Sequence, residues 1–299
     1  RQATAPSAAG GVEVCGAAMR LDDIVGAMAD AAGHLATFRA LHAEGCFVMP
    51  NPWDVGSARL LAHLGFKAVA TTSSGFAWTQ GGRDTEMSLE QTLAHFTAMA
   101  AASPVPVNGD FEGAYAVEPA EVAANVARAA ATGIAGVSVE DSTGDPSHPL
   151  FDAVLAVERV RAARRALDAA GSPVVLTARS EGFIAGRPDL GETIRRLTAF
   201  VEAGADCVYA PGLRARGDIA AVVDAVKPTP VNVLVWNDFT TVAELASIGV
   251  RRISVGGALA RTGWAAVVQA AREMQTQGTF TALGRALPSA ELEPLIDPR

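Results

Sequence analysis

The stretch Val107-Asn108-Gly109-Asp110-Phe111-Glu112-Gly113-Ala114-Tyr115 joins the end of an apolar run to two carboxylates and a glycine turn. In a strand, side chains two residues apart point to the same side. Asp110 and Glu112, at the carboxyl end of a strand, can therefore aim two carboxylates at one point. This arrangement suits Mg²⁺, which prefers oxygen ligands and keeps several waters. Acidic residues and glycine also form ordinary turns. The residues at the other strand ends are therefore needed to decide between a metal site and a turn.

Outward from this stretch, short apolar runs rich in β-branched residues recur, and an alanine-rich stretch of helical period follows each. The eight predicted strands are Cys46 to Met49, Lys67 to Thr71, Val105 to Asn108, Gly136 to Val139, Val174 to Ala178, Cys207 to Ala210, Val231 to Val235 and Arg252 to Val255. The predicted helices that follow them are Val55 to Leu64, Ser88 to Ala102, Pro119 to Thr132, Asp152 to Ala170, Asp189 to Ala203, Arg216 to Val226, Thr241 to Ile248 and Ala258 to Gln277.

This alternation predicts an α/β fold, a (β/α)₈ TIM-type barrel. The strands are continuously apolar, as in a buried parallel sheet. A doubly wound sheet is the competing fold, but its glycine-rich dinucleotide fingerprint is absent after the first strand. We assign residues 1–33 to an N-terminal extension and residues 34–299 to a single catalytic barrel. This barrel begins with a helix from about His34 to Glu44 and ends in an extended, apolar, helical C-terminal tail.

Several predicted helices end in a glycine that can take the left-handed conformation needed to stop a helix. These glycines are Gly65, Gly133, Gly171, Gly204 and Gly249.

The composition restricts the function classes. The chain has 299 residues, of which 49% are hydrophobic, and a formal net charge of −8. This charge argues against a nucleic-acid partner, and no apolar run is long enough to span a membrane. The three cysteines, Cys15, Cys46 and Cys207, lack motif spacing. They indicate a reducing, cytoplasmic location instead of a disulfide framework.

Barrel enzymes carry their active sites at the carboxyl ends of the strands, and polar residues collect there in this chain. Arg179 offers a fork-shaped positive charge for a carboxylate or phosphonate, and Asn232 lies in the seventh strand. The backbone amides of Ser74, Gly75 and Phe76 can contact another anionic oxygen. A set of carboxylates repels itself without a cation, which favours a bound Mg²⁺. The converging carboxylates are Asp84, Asp110, Glu112 and Glu140.

Several of these segments are similar to those of the isocitrate lyase/phosphoenolpyruvate mutase superfamily, and the resemblance extends from about Phe38 to Met274. The matching segments are Gly81-Gly82-Arg83-Asp84, Asp110-Phe111-Glu112, Val137 to Asp141, Thr177 to Gly186 and Glu202 to Asp206.

The resemblance implies a role for each matching residue. Asp110 would be the direct ligand of Mg²⁺, with Mn²⁺ as an alternative, and Asp84, Glu112 and Glu140 would hold metal-bound waters. Ser74, Gly75 and Phe76 would contact the carboxylate or oxo group of a small carboxylate substrate. Arg179 would bind its other end. The resemblance also implies a homo-oligomer, a tetramer or a dimer, that exchanges C-terminal helices.

The chain departs from its better-defined relatives between Asp141 and Leu150. The cysteine-bearing loop of the isocitrate and methylisocitrate lyases is missing, and so is the lysine-bearing gating loop of the phosphonomutases. The remaining acid–base candidates are Tyr115, just past the metal motif, and groups of this loop: Ser142, Thr143, Asp145 and His148. Histidine is a common general acid and base in enzymes.

We therefore expect a Mg²⁺-dependent lyase or hydrolase that cleaves a C–C bond of a small 2-oxo or 2-hydroxy acid through a metal-stabilised enolate. A mutase or hydrolase acting on the P–C bond of a phosphonopyruvate-like acid is the alternative enzyme. A barrel that binds an organic acid without turnover is the alternative outside catalysis.

Overall fold

The computed structural model describes residues 21–297, with side-chain environments from residue 32 onward. Cys15 and most of the predicted N-terminal extension lie outside this range. Eight strands form one parallel sheet. Their bounds are β1 Phe47–Met49, β2 Val69–Ala70, β3 Val107–Asp110, β4 Gly136–Glu140, β5 Val175–Arg179, β6 Cys207–Tyr209, β7 Val231–Leu234 and β8 Arg252–Ser254.

The described residues form eleven α-helices and one 3₁₀ helix. The α-helices are α1 Leu21–Ala43, α2 Val55–His63, α3 Ser73–Thr79, α4 Leu89–Ala102, α5 Pro119–Ala130, α6 Ala153–Ala169, α7 Leu190–Glu202, α8 Arg216–Val226, α9 Val242–Ser247, α10 Ala258–Gln277 and α11 Ser289–Ile296. The 3₁₀ helix, Thr281–Arg285, connects α10 to α11.

The sheet curls into a nearly closed barrel. Its strand order is β1-β8-β7-β6-β5-β4-β3-β2, so β1 and β2 lie at the two ends of the ladder. The Ala70 N–H donates to the carbonyl oxygen of Pro50 at 3.0 Å, which connects these two ends. The predicted (β/α)₈ barrel is therefore confirmed, and the carboxyl ends of all eight strands face the same side.

Local sequence explains where the helices begin and end. Asp54, Ser88 and Thr241 each accept a backbone N–H at the start of a helix, and each forms a reciprocal capping box. The predicted glycine stops are confirmed, since all five have positive φ: Gly65, Gly133, Gly171, Gly204 and Gly249. These signals fix the lengths of the helices and so place the next strand.

The floor of the barrel is covered by α1. Phe38 is fully buried and clusters with residues at the amino ends of the strands, including Ala68, Ala135 and Val175. Gly136 has no room for a larger side chain, because an added Cβ would lie 2.5 Å from the Phe38 ring. The interior is consequently closed below and open only at the carboxyl ends of the strands.

Two elements differ from the sequence-based expectation. The N-terminal helix is longer than predicted, since it begins at Leu21 and not near His34. The short helix α3 was not predicted; the Thr72 side chain caps it by accepting the Gly75 N–H. Among residues 21–297, no helix has the length and apolar character that a membrane span needs.

Candidate active site

Arg179 lies at the centre of a group of carboxylates where β3, β4 and β5 end. Its guanidinium donates to Asp110 at 2.7 Å and to Glu181 at 3.0 Å, and it pairs with Glu140 at 3.1 Å. Asp110, Glu140 and Arg179 are the last residues of their strands, and Glu140 is in register with Arg179. Strand register therefore brings these side chains together, as the spacing of the strand ends predicts.

Asp110 is fixed from two directions. The backbone N–H of Ser73, at the start of α3, donates to Asp110 Oδ2 at 3.1 Å. The backbone N–H of Asp110 donates to Thr71 Oγ1 at 2.9 Å. Asp84 lies close by, and burial raises the pKa of its carboxyl group against the opposing effect of a hydrogen bond from Ser73.

Glu112 has an unusual environment. Its φ of 48° lies in the left-handed region, and its Oε1 is buried without a hydrogen-bond partner among the described residues. Burial, together with the neighbouring carboxylates of Asp110 and Asp84, raises the pKa of Glu112 to about 8. Buried polar atoms normally have a partner, so a bound cation or a proton on this carboxyl group would stabilise it.

The site carries more negative than positive charge. Burial raises the pKa of Glu140 and of Glu181, while Arg179 opposes the shift. Five carboxylates therefore surround one guanidinium: those of Asp84, Asp110, Glu112, Glu140 and Glu181. Their repulsion is relieved when some of them take up protons or when a cation binds.

A pocket of about 440 Å³ opens beside this cluster and extends down into the barrel. Ser73, Ser74, Asp84, Asp110 and Arg179 line it near the strand ends, and Trp78, Ile184, Trp236 and Arg261 surround the mouth. Deeper in, its lining includes Met49, Asn108, Ser138, Asn232 and Arg252. A pocket of this size and mixed lining is typical of a small-molecule site.

Two of the three backbone amides that are predicted to contact a substrate already donate hydrogen bonds within the chain. Ser74 lines the pocket, but the Gly75 N–H donates to Thr72 Oγ1 and the Phe76 N–H donates to the Thr72 carbonyl oxygen. These two amides belong to the first turn of α3, a helix that was not predicted from the sequence. Gly75 is needed for packing instead, because an added Cβ would lie 2.9 Å from Trp53.

Two predicted acid–base residues lie away from this pocket. The His148 side chain is 86% exposed and pairs with Asp145 at 3.6 Å, within a hairpin-like loop closed by a bridge between Ser142 and Leu150. Tyr115 Oη is 2.7 Å from Thr92 Oγ1. Tyr115 lines a small side chamber together with Glu112, His95 and Phe96.

The sequence profile of the phosphoenolpyruvate phosphomutase family matches residues 38–275 of this chain. The chain belongs to this family. Its residues and fold thus place it in the isocitrate lyase/phosphoenolpyruvate mutase superfamily, as the motifs predict.

Individual proteins show the same relationship. A lyase/mutase candidate from Burkholderia cenocepacia J2315 is 43% identical, with a TM-score of 0.86 over 89% of this chain and 96% of that chain. An uncharacterized protein of Mycobacterium tuberculosis (strain H37Rv) is 32% identical over 259 residues, which are 86% of this chain and 95% of its own. An oxaloacetate acetylhydrolase, solved with its product oxalate, is 25% identical, with a TM-score of 0.78 over 88% of this chain and 93% of that chain.

The residues at the strand ends fit the metal that the family implies. Their donors are hard carboxylate oxygens, and Glu112 Oε1 is buried without a partner. Among the described residues, no three acidic, histidine or cysteine side chains converge as a direct ligand set. In the arrangement that the resemblance implies, Asp110 alone would contact Mg²⁺ and the other carboxylates would hold its waters.

Several residues that line the pocket were not predicted from the sequence. Tyr209, the last residue of β6, lines the pocket, and its ring lies 5.0 Å from the Arg179 guanidinium. Its place at a strand end was the signal that could have identified it. Arg252 begins β8 and gave no such signal, since a charged residue at the start of a strand is usually exposed.

Proposed function

We propose that this chain is a Mg²⁺-dependent lyase or hydrolase that cleaves a C–C bond of a small 2-oxo or 2-hydroxy carboxylic acid. The observation that carries the proposal is the carboxylate cluster around Arg179, which borders a 440 Å³ pocket. The similarity to oxaloacetate acetylhydrolase, a protein solved with oxalate, supports the same class of substrate.

Different residues of the chain would have different roles in this reaction. Asp110, oriented by Ser73 and Thr71, would hold the metal, and Asp84, Glu112 and Glu140 would hold its waters. When bound, Mg²⁺ supplies positive charge that stabilises an enolate. Arg179 keeps the carboxylates in place, and the Ser74 side chain presents a hydroxyl to the pocket.

Tyr209 is the residue that we assign to proton transfer. Its phenol is buried, and burial raises its pKa, so the hydroxyl keeps its proton at neutral pH. It lines the pocket beside Arg179, where a hydrogen bond to the developing enolate is worth most. The acid–base residue would then lie at the end of β6 and not in the loop between Asp141 and Leu150.

The test is turnover of a panel of 2-oxo and 2-hydroxy acids with and without Mg²⁺. We expect Mg²⁺-dependent cleavage of at least one acid, and a loss of at least about a thousandfold in Asp110→Ala. Asp224→Ala, which removes an exposed carboxylate paired with Lys227 on α8, is the matched control and should retain activity. A protein that binds neither Mg²⁺ nor oxalate would contradict the proposal. Binding without any turnover would favour a non-catalytic role.

The family profile itself supports one alternative, since it is that of a phosphomutase. Chemistry at the P–C bond of a phosphonopyruvate-like acid would use the same metal site. Release of phosphate or formation of phosphoenolpyruvate from phosphonopyruvate, faster than cleavage of any carboxylic acid in the panel, would establish it.

A further inference from the structure

Arg252 is a buried arginine at the bottom of the active-site pocket. Only 1% of its surface is exposed, and it lines the deep end of the pocket. No aspartate or glutamate in the described part of the chain pairs with it, whereas Arg179 pairs with three. A buried charge without a counter-charge is strongly unfavourable, so a nearby anion would stabilise it.

The partners of Arg252 are neutral. Its Nε donates to Asn232 Oδ1 at 2.8 Å, and its Nη2 donates to Thr177 Oγ1 at 3.1 Å. Its Nη1 lies 3.2 Å from His42 Nε2. His42 Nδ1 is 2.7 Å from the Phe38 carbonyl oxygen and therefore carries the proton, which leaves Nε2 as an acceptor.

These contacts orient the guanidinium and leave part of it available. A guanidinium has five N–H groups, and the three neutral acceptors use one on each nitrogen. Asn232 is fixed in turn, since its Nδ2 donates to Ser254 Oγ at 2.9 Å. The head group is thus held rigidly, which reduces the entropy lost when an anion binds.

The two arginines face the pocket at different depths. Thr177, which contacts Arg252, and Arg179 are two residues apart on β5, so their side chains share one face with backbones about 6.6 Å apart. The acidic residues of the pocket lining are Asp84 and Asp110. Asp110 is the last residue of β3 and Asp84 follows α3, so both belong to the carboxyl-end side of the barrel. The floor therefore carries positive charge and the mouth carries the carboxylates.

We infer that Arg252 forms a second anion subsite, which binds the distal carboxylate of a substrate whose 2-oxo acid end lies at the strand ends. This inference rests on the proposed function and deepens it, because it specifies dicarboxylic acids as the substrate class. Asn232 would act as a positioning residue that holds Arg252, and Arg179 would be left to hold the carboxylate cluster.

The test compares acids of equal chain length that differ only in the terminal group. The pairs are 2-oxoglutarate with 2-oxopentanoate and 2-oxoadipate with 2-oxohexanoate, titrated calorimetrically into the full chain with Mg²⁺. In at least one pair, we expect the wild-type protein to bind the dicarboxylate at least about tenfold more tightly, as a charge-assisted hydrogen bond allows. Oxalate, which lacks a distal group, serves as the reference ligand.

Variants separate a subsite from a structural role. Arg252→Gln should abolish the preference and leave oxalate affinity within about threefold, whereas Arg252→Lys should keep part of the preference. Arg251→Gln is the matched control, since the neighbouring Arg251 donates to the Gly45 carbonyl oxygen and does not line the pocket. Thermal melting of each variant reports whether it is folded.

Three outcomes would overturn the inference. The first is a wild-type protein that binds oxalate but shows no preference in either pair; this result requires no variant and leaves the proposed function intact. The second is an Arg252→Gln protein that loses affinity for oxalate and for both members of a pair equally, which would indicate a structural role. The third is a wild-type protein that fails to bind oxalate, which contradicts the proposed function as well.

Discussion

At the scale of single residues, the histidine beneath the pocket makes the fold sensitive to acid. Burial, followed by the positive charges of Arg252 and Arg39, lowers the pKa of His42 to about 3, although its hydrogen bond to the Phe38 carbonyl opposes the shift. The ring also packs edge-on against Phe38 and Phe47. His42 is therefore neutral in the folded protein at every pH at which the protein would ordinarily be studied.

The pH dependence of stability follows from this shift. The unfolded-state pKa of histidine is near 6.5, so as pH falls toward 3 the unfolded chain binds a proton that the folded chain does not. Above pH 6.5, His42 makes its full contribution to the free energy of unfolding. Below pH 6.5 this contribution falls, and at pH 5 it has decreased by about 2 kcal/mol. We expect urea unfolding to show that His42→Gln, although less stable at pH 8, loses about 2 kcal/mol less than wild type between pH 8 and pH 5.

The control for this measurement is His63→Gln, which removes an exposed histidine at the end of α2. It should keep the wild-type loss of stability between the two pH values. If His42→Gln keeps that loss as well, His42 is not the group that titrates.

A second prediction distinguishes two acid–base candidates. Tyr209 lines the pocket beside Arg179, whereas His148 is exposed on its loop. We expect Tyr209→Phe to lower kcat by about a hundredfold, within the usual range for general acid–base groups, and His148→Ala to change it less than threefold. Steady-state kinetics with the best acid of the panel would measure both. The reverse order would return the role to the loop, with a movement that brings His148 to the substrate.

At the scale of elements, α6 stabilises the backbone that carries the metal motif. Glu112, Ala114 and Tyr115 all have positive φ without being glycine, which is a strained conformation. Arg159 of α6 donates to the carbonyl oxygens of Val117 at 2.9 Å and Gly113 at 2.6 Å, and also to that of Ala116. Its guanidinium stacks on the Phe151 ring at 4.0 Å.

Replacing Arg159 should therefore affect both stability and metal binding. Arg159→Met leaves three carbonyl groups without their donor, and we expect a loss of about 3 kcal/mol in the free energy of unfolding. The affinity for Mg²⁺ should fall about tenfold or more, because the loop after Asp110 loses its support. Chemical denaturation and calorimetric titration with Mg²⁺ would measure the two effects.

Arg161→Met on the same helix is the matched control, since Arg161 is more exposed and pairs only locally with Glu158. It should change stability by less than about 1 kcal/mol. An Arg159→Met protein with wild-type Mg²⁺ affinity would show that the loop holds its conformation without the arginine.

Some helices and strands of this fold could be predicted from the sequence and others could not. The strands and their carboxylates were recognisable because a buried parallel strand is continuously apolar and its polar end is adjacent in the chain. The helix α3 was not recognisable from the sequence, because it has only seven residues and a single side-chain cap, from Thr72. The hydrogen bond between Arg252 and His42 was not predictable either. These residues are 210 positions apart in the sequence and come into contact only because α1 covers the barrel floor.

At the scale of the whole molecule, one face remains apolar. Residues along α10 and the segment after it are exposed: Trp264, Val267, Val268, Met274, Phe280, Leu283 and Leu287. The final helix α11 packs against α2 of the same chain, so it does not cover this face. A concentration of exposed apolar side chains on neighbouring turns of one helix is typical of a protein–protein interface.

We propose that a second copy of the chain covers the α10 face, as the predicted homo-oligomer requires. Val267 is 57% exposed in the single chain, so a charge placed there is harmless in a monomer but unfavourable in an apolar interface. We expect light scattering to give a dimer or tetramer for wild type and smaller species for Val267→Glu. Val154→Glu, at a 72% exposed valine on α6, should assemble normally. A monomeric wild-type protein at micromolar concentration would contradict the proposal, because the apolar face would then remain exposed to water.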